Sequence, residues 1–212
     1  MCTTLRYEII GGSLPALLCQ LQKGEQIICE NGSMTWMDDV FKMETSGGGI
    51  GKMFGRAFTG EGLFRNIYTA QQNGEIVFAS KFPGNICAIE LNGNSIISQK
   101  SAFLACTANI QTSLYFQQKM TTAAYSGEGL IMQKHTGYGI VFFEIDGSAR
   151  EYTLAPGQRK IIDTGHLALM DETCSIDIVR IKGVKNAMLG GEGYFNTVIT
   201  GPGKIILQTL AL

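Results

Sequence analysis

Gly191-Glu192-Gly193-Tyr194-Phe195 is the third appearance of a phrase already written at Gly60-Glu61-Gly62-Leu63-Phe64 and Gly127-Glu128-Gly129-Leu130-Ile131, about 65 residues apart. In each copy a glutamate between two glycines runs straight into a pair of apolar side chains. A second landmark keeps the same step. A glycine turn ahead of paired isoleucines stands upstream of every triplet, at Gly24 (Ile27, Ile28), Gly93 (Ile96, Ile97) and Gly157 (Ile161, Ile162). A motif that recurs with the architecture reads as a turn rather than an active site, because each copy marks one corner of a repeated unit. This period predicts three modules, at residues 5–80, 81–146 and 147–212, packed as one body over 1–212. A β module of that size buries too little surface alone, and three sharing a core relieve the problem.

Glycine supplies 27 residues and proline only four, and the glycines punctuate short β-branched or aromatic runs, which predicts many short antiparallel strands. The expected strands are Leu5 to Ile10, Leu17 to Leu21, Gln26 to Cys29 and Met34 to Met37 in the opening module. Asn31-Gly32 is a two-residue hairpin signal, since both residues tolerate positive φ, so Met34-Thr35-Trp36-Met37 is expected to pair back on its predecessor. The middle module offers Cys87 to Leu91, a turn at Asn92-Gly93, Ser95 to Ser98, and Ala102 to Cys106. The last offers Arg150 to Leu154, a turn at Pro156-Gly157, Arg159 to Ile162, and His166 to Met170. After each triplet comes a strand, a glycine turn (Asn73-Gly74, Gly137-Tyr138-Gly139, Gly201-Pro202-Gly203) and a further strand. Helix is expected to be minor, confined to segments just before the triplets such as Val184 to Leu189. The fold class is therefore all-β.

A formal net charge of -1 gives no long-range attraction to nucleic acid or anionic membrane. The cations Lys52, Arg56, Arg159, Lys160, Arg180, Lys182 and Lys185 form no stripe recurring in all three modules, which argues against phosphate binding. Cys2, Cys19, Cys29, Cys87, Cys106 and Cys174 include no Cys-x-x-Cys pair and no histidine at zinc spacing, so free thiols in a reducing compartment are expected. The first residues lack a signal-peptide pattern and no apolar run is long enough to span a bilayer, which makes a cytoplasmic location the default.

The run Gly24-Glu25, Glu30-Asn31-Gly32-Ser33-Met34, Gly47-Gly48-Gly49, Gly60-Glu61-Gly62-Leu63-Phe64, Phe82-Pro83-Gly84, Gly165-His166-Leu167 and Gly201-Pro202-Gly203 resembles the family of the mitochondrial-biogenesis protein called altered inheritance rate of mitochondria twenty-four. The resemblance extends from about Tyr7 to Thr209. It implies three tandem modules, each similar to a subunit of the tryptophan RNA-binding attenuation protein (TRAP-like), about a pseudo-threefold axis. No catalytic residues travel with the family, and its bacterial members are mostly uncharacterised.

Candidate sites are few. Ser46-Gly47-Gly48-Gly49-Ile50-Gly51-Lys52-Met53 fails as a phosphate loop, because Ser46 stands where glycine is needed and Met53 where a hydroxyl must hold magnesium. Glu61, Glu128 and Glu192 occupy equivalent places, and convergence on an axis would make a hard-cation site; carboxylates accepting backbone hydrogen bonds at tight turns are the simpler reading. His135 and His166 are too few for a cupin-like metal centre. His166 near Asp163 and Asp171 is the best acid-base candidate, and Cys106 or Cys174 would need a neighbouring base to act as a nucleophile. No cofactor or metal is expected. The expected function is a non-enzymatic binding or scaffolding protein that forms a homo-oligomer or docks protein partners, through Trp36, Met37, Phe54 and Phe58. The alternatives are a small-ligand protein or enzyme with a crevice near His166, an RNA-binding protein, and a peripheral membrane protein using the Met53 to Phe58 segment.

Overall fold

A computed structural model describes residues 5–46, 65–115, 131–180 and 195–211. Among these the chain is almost entirely strand, with one 3₁₀ turn at Lys100–Ala102. The opening strands are β1 (Arg6–Ile10), β2 (Ala16–Leu21), β3 (Gln26–Glu30), β4 (Met34–Met37), β5 (Phe41–Ser46), β6 (Arg65–Ala70) and β7 (Gly74–Ala79). Then come β8 (Gly84–Gln99), β9 (Phe103–Thr107), β10 (Ile110–Tyr115) and β11 (Met132–Asp146). The closing set is β12 (Ala149–Leu154), β13 (Arg159–Asp163), β14 (Leu167–Asp171), β15 (Ser175–Arg180), β16 (Phe195–Thr200) and β17 (Gly203–Gln208).

The described residues fall into two compact units. The first takes those of Met1–Glu90, Phe103–Ile110 and Gly139–Glu144; the second takes those of Leu91–Ala102, Gln111–Tyr138 and Ile145–Leu212. In the first unit, one sheet runs β1-β2-β7-β4. A second ladder runs β11-β9-β3-β6-β5. Strand alternation sends Leu17, Cys19 and Leu21 of β2 and Ile76 and Phe78 of β7 inward. They meet Ile27 and Cys29 of β3, Tyr68 and Ala70 of β6 and Phe142 of β11 in one sandwich core. Each large side chain so buried contributes roughly 1.5–3 kcal/mol relative to exposure. Arg65 is buried with its guanidinium 3.6 Å above the Phe103 ring, and burial lowers its pKa.

The second unit repeats the sandwich principle with β12-β17-β14-β8 on one side and β13-β16-β15 on the other. Leu154, Leu167, Met170, Ile205 and Ile97 from the first ladder pack with Ile162, Ile176 and Ile199 from the second.

Three expectations need correction. Asn31-Gly32 does turn the chain, with Gly32 at φ 79° and the Ser33 N–H donating to the Glu30 carbonyl at 3.3 Å. Yet β4 does not pair back on β3: both edges of β3 are taken, by β6 and β9, and β4 instead pairs antiparallel with β7. Gly93 keeps the positive φ of a turn residue, at 90°, but β8 continues through it. Likewise β11 runs on through Gly137-Tyr138-Gly139. Glycine relieves the backbone at these bends without ending the strand. The expected helical segment Val184 to Leu189 lies outside the described residues.

Candidate functional site

The largest exposed aromatic surface the sequence anticipated is on β4. Its inner edge is tied firmly to β7: the Ala79 N–H donates to the Ser33 carbonyl and to Thr35 Oγ1, both at 3.1 Å, and the Asp38 N–H donates to the Glu75 carbonyl at 2.9 Å. The Asp38 carboxylate in turn accepts the Glu75 N–H at 2.8 Å. Its outer edge has no strand partner among the described residues. Trp36 is 50% exposed and Met37 36%, although both are apolar. Phe54 and Phe58, expected beside them, lie outside the described residues, as do Glu61, Glu128 and Glu192 of the repeated triplets.

A polar cleft of about 480 Å³ lies nearby, lined by Arg6, Gln20, Gln22, Glu25, Asp38, Asn73 and Glu75 among others. Several of its polar groups hold turns together. Glu25 accepts the Gln22 N–H at 2.8 Å, Asn73 accepts the Lys23 N–H at 2.9 Å, and Asp38 is committed to Glu75. The lining carries one guanidinium and three carboxylates but no histidine, cysteine or hydroxyl, so it offers no nucleophile and base pair. No cluster of three or more metal-ligating side chains occurs among the described residues.

In the second unit β13 is also an edge. It pairs with β16 alone among the described residues, and Ile161 is 63% exposed on it. Lys160 lies on the same strand with Nζ 3.9 Å above the Tyr152 ring. Arg159 is exposed.

The two histidines are held by the scaffold. His166 Nδ1–H donates to the Gln208 carbonyl at 2.8 Å, while Gln208 Nε2 donates to the Gly165 carbonyl at 3.0 Å, so the imidazole pins a turn. Asp163 meets His166 through the backbone, the His166 N–H donating to the Asp163 carbonyl at 3.3 Å. His135 is fully buried between two hydroxyls, with Ser98 Oγ 2.9 Å from Nε2 and Thr112 Oγ1 2.9 Å from Nδ1. The serine and imidazole stand at the distance of a nucleophile and its base, but both are sealed from solvent. Sequence reasoning misses this trio because its members are 23 and 37 residues apart on different strands.

Cys19, Cys29, Cys87, Cys106 and Cys174 are free thiols. Burial pushes Cys29 up to about 11 and Cys106 up to about 12, and raises Cys19 and Cys174 as well. These four thiols pack as small hydrophobes and are protonated at neutral pH. No helix among the described residues is long and apolar enough to cross a membrane.

An all-β chain with exposed strand edges, scaffold-bound histidines and mostly buried thiols among the described residues is the class that this geometry defines. Residues 7–210 match the family described as Mitochondrial biogenesis AIM24, and the chain belongs to that family. It is similar to an uncharacterized protein of Streptococcus pyogenes serotype M6, with 28% identity over 207 residues covering 93% of this chain and 82% of the relative. It is also similar to a Streptococcus pyogenes protein solved by X-ray crystallography in a structural genomics programme. There the TM-score is 0.80 at 25% identity, over 98% of this chain and 94% of the other.

Proposed function

We propose that this chain is a non-enzymatic scaffolding or binding protein that self-associates, built from three copies of one TRAP-like strand plan at residues 5–80, 81–146 and 147–212, and working in the cytoplasm. The observation that carries it is the exposed apolar edge of β4. Counted by strand pairing, β4 corresponds to β9 and β14: each pairs antiparallel with the last strand of its module, and each skips one residue at the same place. The skipped residues are Thr35 between Met34 and Trp36, Leu104 between Phe103 and Ala105, and Ala168 between Leu167 and Leu169. The residue at or just past the end of each strand also caps the partner. Asp38 accepts from the Glu75 N–H at 2.8 Å, Thr107 from the Ile140 N–H at 3.1 Å, and Asp171 from the Lys204 N–H at 2.7 Å. Positive φ at Gly24, Gly93 and Gly157 (89°, 90° and 74°) supports the same three-module plan.

In β9 and β14 the residues from Phe103 to Cys106 and from Leu167 to Met170 are all buried, whereas Thr35, Trp36 and Met37 are exposed. An apolar edge of this kind is a template for another chain. Native mass spectrometry tests the proposal: a discrete assembly larger than the 23.0 kDa chain is expected, and a monomer at every micromolar concentration tried would count against it. The polar cleft near Glu25 and Asp38 supports a second reading, a small-ligand protein. In that case the same spectrum would carry a stoichiometric added mass.

A further inference from the structure

Among the described residues the chain builds one junction twice and leaves the two halves of a third without a strand partner on the matching edge. In the first unit β3 pairs antiparallel with β9, setting Ile28 opposite Cys106 and Ile27 opposite Thr107. In the second unit β8 pairs antiparallel with β14, setting Ile97 opposite Met170 and Ile96 opposite Asp171. Ile28 and Ile97 each stand four residues after a positive-φ glycine, Gly24 and Gly93, and Ile161 stands four residues after Gly157. The shared skipped residue likewise makes Met37 the counterpart of Cys106 and Met170. So β13 and β4 carry the two halves of a junction whose other examples are paired, and Ile161 on one half and Met37 on the other are exposed.

We infer that β13 of one molecule pairs antiparallel with the outer edge of β4 of a second copy, with Ile161 opposite Met37, Lys160 opposite Asp38 and Ile162 opposite Trp36. This rests on the self-association reading and supplies its contact. Applying the register of the two existing junctions fixes which side chains meet, and the charges agree with it. Lys160 faces Asp38, and one step further Arg159 reaches Asp39, the place where Ser95 hydrogen-bonds the Glu172 carboxylate in the β8–β14 junction. Two cations on one edge meet two carboxylates on the other, which selects this pairing and register over β4 meeting β4. Ile161 gains the cover that Ile97 already has among Leu167 and Met170. Because the two edges differ, the contact is heterologous, and a copy engaged through one edge still offers the other until the assembly closes.

A charge swap between exposed positions tests the pairing with the full chain. Arg159 and Asp39 are both exposed, and circular dichroism and thermal melting will report that Arg159→Glu and Asp39→Arg each fold. Each alone is expected to weaken self-association about tenfold or more in sedimentation equilibrium, because like charges then face each other. An equimolar mixture of the two variants sets the introduced glutamate of one against the introduced arginine of the other, and is expected to regain most of the wild-type affinity. In parallel, Met37→Cys combined with Ile161→Cys is expected to yield an oxidised band joining two chains that the parent chain does not give. Wild type that assembles normally while both charge variants keep its affinity would overturn the edge pairing and leave self-association standing. A crosslink confined to single chains would also overturn it. Wild type that never exceeds one chain would sink both.

Discussion

β14 and β4 run the same course with opposite outcomes. Each pairs antiparallel with a later strand, β17 or β7, each skips one residue after the first pair, and in each an aspartate at or just past the last residue caps the neighbouring backbone. β14 has β8 on its other side and is buried from Leu167 to Met170, while β4 has no such strand among the described residues and exposes Trp36 and Met37. Polarity does not explain the contrast, since Met34-Thr35-Trp36-Met37 is nearly as apolar as Leu167-Ala168-Leu169-Met170. What differs is the neighbour. β14 has a strand on each side, whereas β4 has one on a single side among the described residues.

The sharpest way to break this comparison is to shorten the isoleucine on the covered side. Ile97 is fully buried in the second unit's core, so Ile97→Ala removes three carbons from a packed site and is expected to cost about 2–5 kcal/mol. For a chain of this size that lowers the melting temperature by on the order of 5–15 °C. A drop of under about 2 °C would mean that the β8–β14 junction is not packed as described.

One residue further along β8, the seam is polar. His135→Ala withdraws the imidazole from Ser98 and Thr112 and opens a void, with an expected cost of about 2–4 kcal/mol. His135→Gln, which keeps polar atoms in the void, is expected to recover part of it. Chemical denaturation of both variants separates the hydrogen-bonding contribution from the packing one; equal losses would assign the effect to volume alone.

The β3–β9 junction carries a pH signature. Cys29 and Cys106 lie within it, with folded-state pKa values of about 11 and about 12 against an ordinary 9.0. Between those values the folded chain holds protons that the unfolded chain releases, so stability falls as pH rises. The contribution is complete below about pH 9 and is lost through pH 11 to 12, on the order of 3 kcal/mol for a thiol shifted by about two units. Cys29→Ala and Cys106→Ala are expected to flatten the stability profile above about pH 9, read as denaturation midpoints from about pH 7 to 11. An unchanged slope in the double variant would place the alkaline sensitivity elsewhere.

Many of the strands were legible in the sequence, whereas β5, β10 and β15 were not among those expected. Met34–Met37 and Gln26–Glu30 come from short apolar runs bounded by turn residues. Partners were not legible to the same degree. Asn31-Gly32 specifies a local turn, but which ladder receives β4 depends on whether β3 still has a free edge, and that is decided by Tyr68 and Ala105, far along the chain. Gly93 and Gly139 likewise announce a bend without saying whether pairing continues through it. The acid-base reading of His166 with Asp163 gave way to a turn because the deciding partner, the Gln208 carbonyl, is a backbone atom 42 residues away. Backbone acceptors leave no residue-type signal.

Ile161→Ala gives the smallest effect on the isolated chain and so the cleanest measure of what the missing neighbour contributes. The residue holds the position of Ile97 but is 63% exposed, so little packing is lost within its own molecule. A change within about 0.5 kcal/mol in unfolding free energy is expected at concentrations where the chain is monomeric. At concentrations where it assembles, the same substitution should cost more, because the isoleucine is then buried against Met37 of a second copy, and the melting temperature of the wild type should rise with concentration while that of the variant rises less. Equal concentration dependence in the two proteins would show that Ile161 stays in water whatever the assembly, and would leave the difference between Ile97 and Ile161 as a property of one folded chain rather than of an interface.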